Sequence, residues 1–315
     1  MSPIKPPNAK TLSEREFFFG HKGCAGCGGS LALRLALKVL GERTFTVVPA
    51  GCMSAVGFVY PQLAFGTNAI ISTFPGTASM LAGVAAGARA LGLKDFHTVG
   101  FAGDGGTADI GLQALSGAID RHDRILYICY DNEAYMNTGV QKSGLTPFGA
   151  RTTTTPAGQH IRGSITQKKN MFEIVAAHGI DYAATASVGY PQDFINKVAK
   201  AATVEGTAYI HVFAPCPTGW GCETDLSIEL AKEAVDSGLW YLAEFENGEH
   251  RLNRDPREFT PVRSYLEKQA RFAHLRDEDF AAIERTRDAQ WARMRRQWAR
   301  PTTTAPSAAT PATAG

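Results

Sequence analysis

The stretch "RILYICYDN", residues 124–132, is apolar at nearly every position until its polar end. A strand with one wet face alternates apolar and polar residues, whereas a strand apolar on both faces lies in a parallel sheet covered on both sides. The surrounding text changes period to match. Strand-like runs at 44–51 ("TFTVVPAG"), 96–103 ("FHTVGFAG"), 181–187 ("DYAATAS") and 207–216 ("TAYIHVFAPC") are separated by runs at helical spacing. The helical runs fall at 30–41, 78–92, 107–120, 171–179 and 191–202. Such alternation predicts an α/β domain with a doubly wound, mostly parallel sheet, whose ligands sit at the C-terminal ends of the strands.

Composition narrows the classes without naming one. The chain has 315 residues with 32 basic against 30 acidic, a net charge of +2, so charge gives no reason to expect a nucleic-acid partner. Glycine interrupts the longest apolar runs, none of which reaches the roughly 18 residues that a membrane span needs. The start "MSPIKPPNAK" lacks an apolar core of the kind a secretory signal carries. Six cysteines in a chain of this kind are better read as metal ligands or buried thiols than as disulfides, and the expected compartment is the cytoplasm. The expected division is an N-terminal extension over 1–16, the α/β domain over 17–222, a charged helical arm packing on a partner over 223–299, and a disordered tail over 300–315. The tail, "RPTTTAPSAATPATAG", has little to bury.

The segment "HTVGFAGDGGTADIGLQAL" (97–115) is a strand, a glycine-rich turn and a helix start. Gly103, Gly105 and Ala108 satisfy the dinucleotide fingerprint G-x-G-x-x-A, and Asp131 stands where a ribose-binding acid would. Asp104 argues otherwise. Backbone amides at a helix start hold a pyrophosphate without help, and a carboxylate there would repel it. An aspartate belongs in the turn when a divalent cation lies between it and the phosphate, and Mg²⁺ asks for further hard oxygens. The next strand ends in "YDNEAYMNTG", where the Asn132 side chain and the Ala134 carbonyl supply them, with 26 residues between Gly105 and Asn132.

Gly103-Asp104-Gly105 followed at this interval by Asn132 is the thiamine diphosphate motif. The segment from "GDGGTADIG" through "TTTTPAG" resembles the β subunit of 2-oxoacid:ferredoxin oxidoreductases, of which pyruvate:ferredoxin oxidoreductase is the best known. The resemblance spans about residues 17 to 275 and includes "GHKGCAGCGG" and "APCPTGW". It implies that Asp104, Asn132 and Ala134 hold Mg²⁺ and the diphosphate, within a cofactor site formed by Gly103, Asp104, Gly105, Asn132, Ala134 and Asn137. Asn137 would lie near the cofactor's reactive end, as the catalytic candidate.

Cys24 and Cys27 form C-x-x-C; Cys52 and Cys216 each follow a strand. Four thiolates at strand ends fit a [4Fe–4S] cluster, and on ligand count alone they fit tetrahedral zinc equally well. The family resemblance assigns the cluster to Cys24, Cys27 and Cys52. Cys216 is chosen as the fourth because "APC" closes a core strand; Cys222, six residues on, remains the alternative. Cys129, inside a strand, reads as core. Thiamine diphosphate supplies an electron sink for decarboxylating a 2-oxo acid, and a nearby cluster would take the electrons one at a time. The implied product, with coenzyme A present, is an acyl-CoA.

The family's activating glutamate and pyrimidine-binding domain come from an α subunit, and no segment here offers that domain. The implied partners are therefore that α subunit, further subunits carrying Fe–S clusters, a 2-oxo acid, coenzyme A and a ferredoxin-like acceptor. The alternatives are a phenylglyoxylate or branched-chain 2-oxoacid oxidoreductase with NAD as final acceptor, a non-catalytic metal-binding scaffold, and a nucleotide-dependent dehydrogenase. His21 has either a cluster-tuning or a turn role. Lys22 and Arg151 could steer a carboxylate, and the other histidines are assigned nothing.

Overall fold

The computed structural model describes residues 7–158 and 160–298. The low-complexity tail lies outside them. Ten strands form in chain order: β1 (Thr44–Pro49), β2 (Phe58–Val59), β3 (Gln62–Leu63), β4 (Asn68–Ser72), β5 (His97–Gly103), β6 (Ile125–Asp131), β7 (Tyr182–Ser187), β8 (Thr207–Phe213), β9 (Ala243–Glu246) and β10 (Glu249–Leu252). Eight of them make one sheet in the order β10-β9-β7-β8-β6-β5-β1-β4, and β2 pairs with β3 in a separate hairpin. The six strands from β7 to β4 run parallel; β9 is antiparallel to β7, and β10 to β9. Central β6 and β8 are buried at every position, as residues covered on both faces must be.

The α-helices are α1 (Gly28–Leu40), α2 (Cys52–Gly57), α3 (Thr77–Ala90), α4 (Asp104–Ala108), α5 (Leu112–Asp120), α6 (Met171–Ala177), α7 (Pro191–Ala201), α8 (Pro217–Trp220), α9 (Ser227–Asp236), α10 (Val262–Leu266) and α11 (Asp277–Gln297). They leave one apolar core on each face of the sheet. Leu33 and Leu37 of α1 and Phe194 and Val198 of α7 belong to one core; Leu81 of α3, Leu115 of α5 and Phe172 of α6 belong to the other.

Three features differ from the sequence reading. One helix is expected over 107–120, yet the chain makes α4 and α5 with a break between Ala108 and Leu112. Gly111 permits the break, because any Cβ there would collide with the Gly106 carbonyl. The edge strand β4 and the β2–β3 hairpin are absent from that reading, since their short runs carry no clear period.

The segment after 223, expected to be a helical arm packing on a partner, is helical over α9, α10 and α11, and between α9 and α10 it adds β9 and β10 to the chain's own sheet. Their turn is Asn247-Gly248, both at positive φ (54° and 80°), which suits a tight antiparallel hairpin. Helix α11 then folds back over the domain, with Trp291 and Met294 buried and the Trp291 indole N–H donating to Gly238 O at 2.8 Å.

Candidate functional site

Strand β5 ends at Gly103, and Asp104 opens α4 with its side chain buried, 1% exposed. Neighbouring β6 ends at Asp131, which places Asn132 beside that turn because Gly103 pairs with Tyr130 across the two parallel strands. The Asn132 side-chain amide lies against two acceptors. With its nitrogen turned to them it donates to Ala134 O at 2.9 Å and to Asp104 Oδ1 at 3.0 Å. With its oxygen there instead, three acceptor oxygens from Asp104, Asn132 and Ala134 meet with no donor among them. Hard oxygens gathered in this way are what Mg²⁺ takes, so the donor set fits the ion.

The packing explains the glycines. A Cβ on Gly105 would collide with the Tyr135 ring, and one on Gly103 would lie 3.3 Å from Tyr130. The Tyr135 hydroxyl donates to Asp109 Oδ2 at 2.9 Å and lies 3.2 Å from Gly105 O. Asn137 lies exposed on the loop beyond. The threonine run folds against this loop: the Thr153 amide donates to Val140 O at 3.0 Å and its hydroxyl to Gly139 O at 2.9 Å, while the Lys142 amide donates to Thr154 Oγ1 at 2.9 Å.

A buried charge network that sequence reading misses lies behind Asn132. Lys168 donates to Asp131 Oδ2 at 2.9 Å and to Glu133 Oε1 at 2.7 Å, and His211 Nε2 lies 3.0 Å from Asp131 Oδ2. Arg271 pairs with Glu133 and stacks 4.0 Å over Trp220. Asp131 is therefore fully committed inside the protein and is not placed to meet a ribose. Burial would raise its carboxyl, but Lys168 and His211 outweigh that and hold it below its usual range. Burial and the Asp131 charge push Asp104 well above its own, although the Ser143 hydroxyl donates to it. The two carboxyls thus titrate apart. No sequence signal marks Lys168, Arg271 or Ser143, because each reaches this place from a separate loop.

The cysteines arrive on three segments that are tied together. Cys27 caps α1, its sulfur accepting from the Ser30 amide at 3.4 Å. The Gly28 amide donates to Pro215 O at 2.9 Å, and a Cβ on Gly28 would lie 2.7 Å from the Pro215 nitrogen, so C-x-x-C sits directly on the segment carrying Cys216. The Lys22 amide donates to Val56 O at 2.9 Å, joining the same loop to α2, which Cys52 opens.

Burial pushes the Cys52 thiol up to about 12, with the charges of Cys216, Cys27, Cys24 and Asp104 adding to it. Cys216 rises to about 11 from burial, with contributions from Cys27 and Cys24. Cys222 is raised by burial too, but its charged neighbours are Arg271 and Glu223 rather than the other thiols. Cys24, Cys27 and Cys216 all act on Cys52, and Cys24 and Cys27 on Cys216, and a cationic core among them would offset the burial and repulsion that disfavour the Cys52 and Cys216 thiolates. Among the described residues, no group of three or more His, Cys, Asp or Glu is close enough as it stands to hold an ion.

Two contacts join this cysteine region to the cofactor turn. The Trp220 indole donates to Asn132 O at 2.8 Å, and Met136 packs on Gly219 so closely that a Cβ there would collide with its sulfur. His21 stacks on Phe18 with ring centroids 4.7 Å apart, and its Nδ1 accepts from the Gly23 amide at 3.1 Å. Burial, with Arg34 adding, lowers its pKa. Lys22 and Arg151 are exposed, and Cys129 is buried core. No helix among the described residues is long and apolar enough to cross a membrane.

Residues 49–212 match the family model described as thiamine pyrophosphate enzyme, C-terminal TPP binding domain. The chain is 50% identical to the pyruvate synthase subunit PorB of Methanothermobacter marburgensis, over 87% of this chain and 95% of that protein. It is 46% identical to the ketoisovalerate oxidoreductase subunit VorB of Pyrococcus horikoshii, over 90% of this chain and 93% of that one. A solved 2-oxoglutarate:ferredoxin oxidoreductase from Magnetococcus marinus shares the fold, with a TM-score of 0.56 at 19% identity, over 70% of this chain and 82% of that one.

Proposed function

We infer that this chain, which belongs to the thiamine pyrophosphate-dependent family of PorB and VorB 2-oxoacid oxidoreductase subunits, binds thiamine diphosphate with Mg²⁺ at Asp104, Asn132 and Ala134 and carries one [4Fe–4S] cluster on Cys24, Cys27, Cys52 and Cys216. The complex it serves oxidatively decarboxylates a 2-oxo acid, pyruvate by default, to an acyl-CoA and CO₂. The electrons leave through the cluster to ferredoxin or a similar acceptor. A second substrate reading, a branched-chain 2-oxo acid, is favoured by the 46% identity to the VorB subunit.

The observation that carries this reading is the Trp220–Asn132 hydrogen bond at 2.8 Å, which makes the "APCPTGW" and "DNEAYMNTG" segments neighbours. Bound thiamine diphosphate supplies the electron sink for decarboxylation. Asp104 would hold the ion, and Tyr135 packs directly over Gly105, where a Cβ would collide with its ring. The threonine run fixes the loop that carries Asn137. The thiols give the electrons an exit next to where they are released. An α subunit supplies the pyrimidine-binding domain and the activating glutamate, and further subunits extend the electron path.

The test is acceptor reduction by the assembled complex, assayed anaerobically with pyruvate and with ketoisovalerate. Reduction of a one-electron acceptor that requires thiamine diphosphate and coenzyme A supports the reading, and the preferred acid names the substrate. Decarboxylation with no electron transfer would overturn it.

A further inference from the structure

The two carboxylate oxygens of Asp104 have different neighbours. Oδ1 lies 3.0 Å from the Asn132 side-chain amide, which also meets Ala134 O. Oδ2 is taken by the Ser143 hydroxyl, which reaches it from the loop after β6. The Leu145 amide donates to Ser143 Oγ at 3.1 Å. A hydroxyl has one proton and two lone pairs, so with that amide on a lone pair the Ser143 proton goes to Asp104 Oδ2. Ser143 and Asp104 are each 1% exposed, which shields the bond from water.

Thr146 holds the other side of the oxygen set. The Ser143 amide donates to Thr146 Oγ1 at 2.9 Å, and the Thr146 hydroxyl donates to Glu133 O at 2.7 Å. That carbonyl belongs to the peptide leading into Ala134. Glu133 has a φ of 70°, a left-handed value uncommon outside glycine, and the Thr146 bond helps to hold it there. Two hydroxyls on one turn thus reach both the Asp104 carboxylate and the peptide before the Ala134 carbonyl.

We propose that Ser143 and Thr146 are positioning residues that make the Asp104, Asn132 and Ala134 oxygens selective for Mg²⁺ over Ca²⁺. The proposal rests on the thiamine diphosphate–Mg²⁺ reading given above. Mg²⁺ demands near-ideal octahedral geometry, whereas Ca²⁺ accepts a larger, more flexible shell and takes carboxylates through one oxygen or both. A carboxylate free to turn can offer both oxygens, which suits Ca²⁺. One pinned at Oδ2 by Ser143 offers Oδ1 alone.

The test is calorimetric titration of Mg²⁺ and of Ca²⁺ into the metal-free complex with excess thiamine diphosphate. Ser143→Ala releases the carboxylate, Thr146→Val removes the second hydroxyl while keeping the shape, and Thr146→Ser keeps the hydroxyl. Ser143→Ala and Thr146→Val are each expected to weaken Mg²⁺ by at least about ten-fold and Ca²⁺ by less, so that the ratio of the two affinities falls. Thr146→Ser should keep the parent ratio. Should Ser143→Ala not assemble, the two Thr146 variants decide alone. A ratio unchanged in the variants lacking a hydroxyl, whether both affinities hold or both fall together, would overturn the proposal, as would Thr146→Ser behaving like Thr146→Val. A parent complex that binds neither ion with thiamine diphosphate would overturn the thiamine reading itself, and the proposal with it.

Discussion

Trp220 donates its indole N–H to the main-chain carbonyl of Asn132 at 2.8 Å, deep in the interior. Four residues before Trp220 stands Cys216, and two after Asn132 stands Ala134, so one hydrogen bond holds the thiol segment against the cofactor turn. Trp220→Phe keeps most of the packing and leaves that carbonyl without its donor. We expect a stability loss of about 1–3 kcal/mol and faster loss of thiamine diphosphate on dialysis. Thermal unfolding together with cofactor retention checks this; an unchanged midpoint and unchanged retention would contradict it.

Asp104→Asn tests the ion site. The change removes the charge that the cation needs, and because outer partners of a metal site are commonly worth 10–100-fold, a direct ligand should cost at least about 100-fold in cofactor affinity. The cofactor-free complex should be no less stable. Burial and Asp131 already hold the Asp104 carboxyl above its usual range, so the ionised form is disfavoured there. Titration of thiamine diphosphate and Mg²⁺ into the cofactor-free complex measures the first effect, and thermal unfolding the second.

The fold and the glycine-rich turn after β5 were largely legible because they rest on short-range patterns. The apolar run at 125–131 reports a doubly covered strand, and the glycines at 103 and 105 report a tight strand-to-helix turn, without knowledge of what lies across the sheet. What was hidden depends on distance in sequence. Lys168 and Arg271 meet Asp131 and Glu133 only once three segments are folded, and nothing near either residue marks it. The β9–β10 hairpin was missed for another reason. Its Asn-Gly turn was readable, but the charged residues of "EFENGEH" outweighed a signal only two residues long.

Cys216 and Cys222 should separate cleanly. Cys216 shares the field of Cys24, Cys27 and Cys52, while Cys222 faces Arg271 and Glu223. In anaerobically purified complex, Cys216→Ser should lose the visible absorbance and the reduced-state paramagnetic signal of the cluster proposed for this chain, and Cys222→Ser should keep both. The reverse result would move the fourth ligand six residues along the chain.

Glu244 on β9 predicts an acid-sensitive seam between β9 and its neighbours. Burial would raise its carboxyl, yet hydrogen bonds from Asn253, Arg251 and Tyr182 and the charge of Lys200 bring it down to about 2 from 4.5. A folded-state value below the unfolded one adds stability that is fully present above pH 4.5 and is lost as pH falls toward 2. Glu244→Gln should therefore be less stable than the parent at neutral pH, with the difference narrowing through that acid range. Denaturant unfolding at a series of pH values checks it, and a pH-independent difference would contradict it.

The most direct measurement of the central claim, that a thiamine site here adjoins a one-electron outlet, is the iron, acid-labile sulfide and zinc content of the anaerobically purified complex, with and without Cys24→Ser. The account predicts that the substitution removes one [4Fe–4S] cluster's worth of iron and sulfide per copy of this chain while thiamine diphosphate stays bound. Stoichiometric zinc, with no iron lost on substitution, would contradict it and leave a thiamine enzyme without an electron path through this chain.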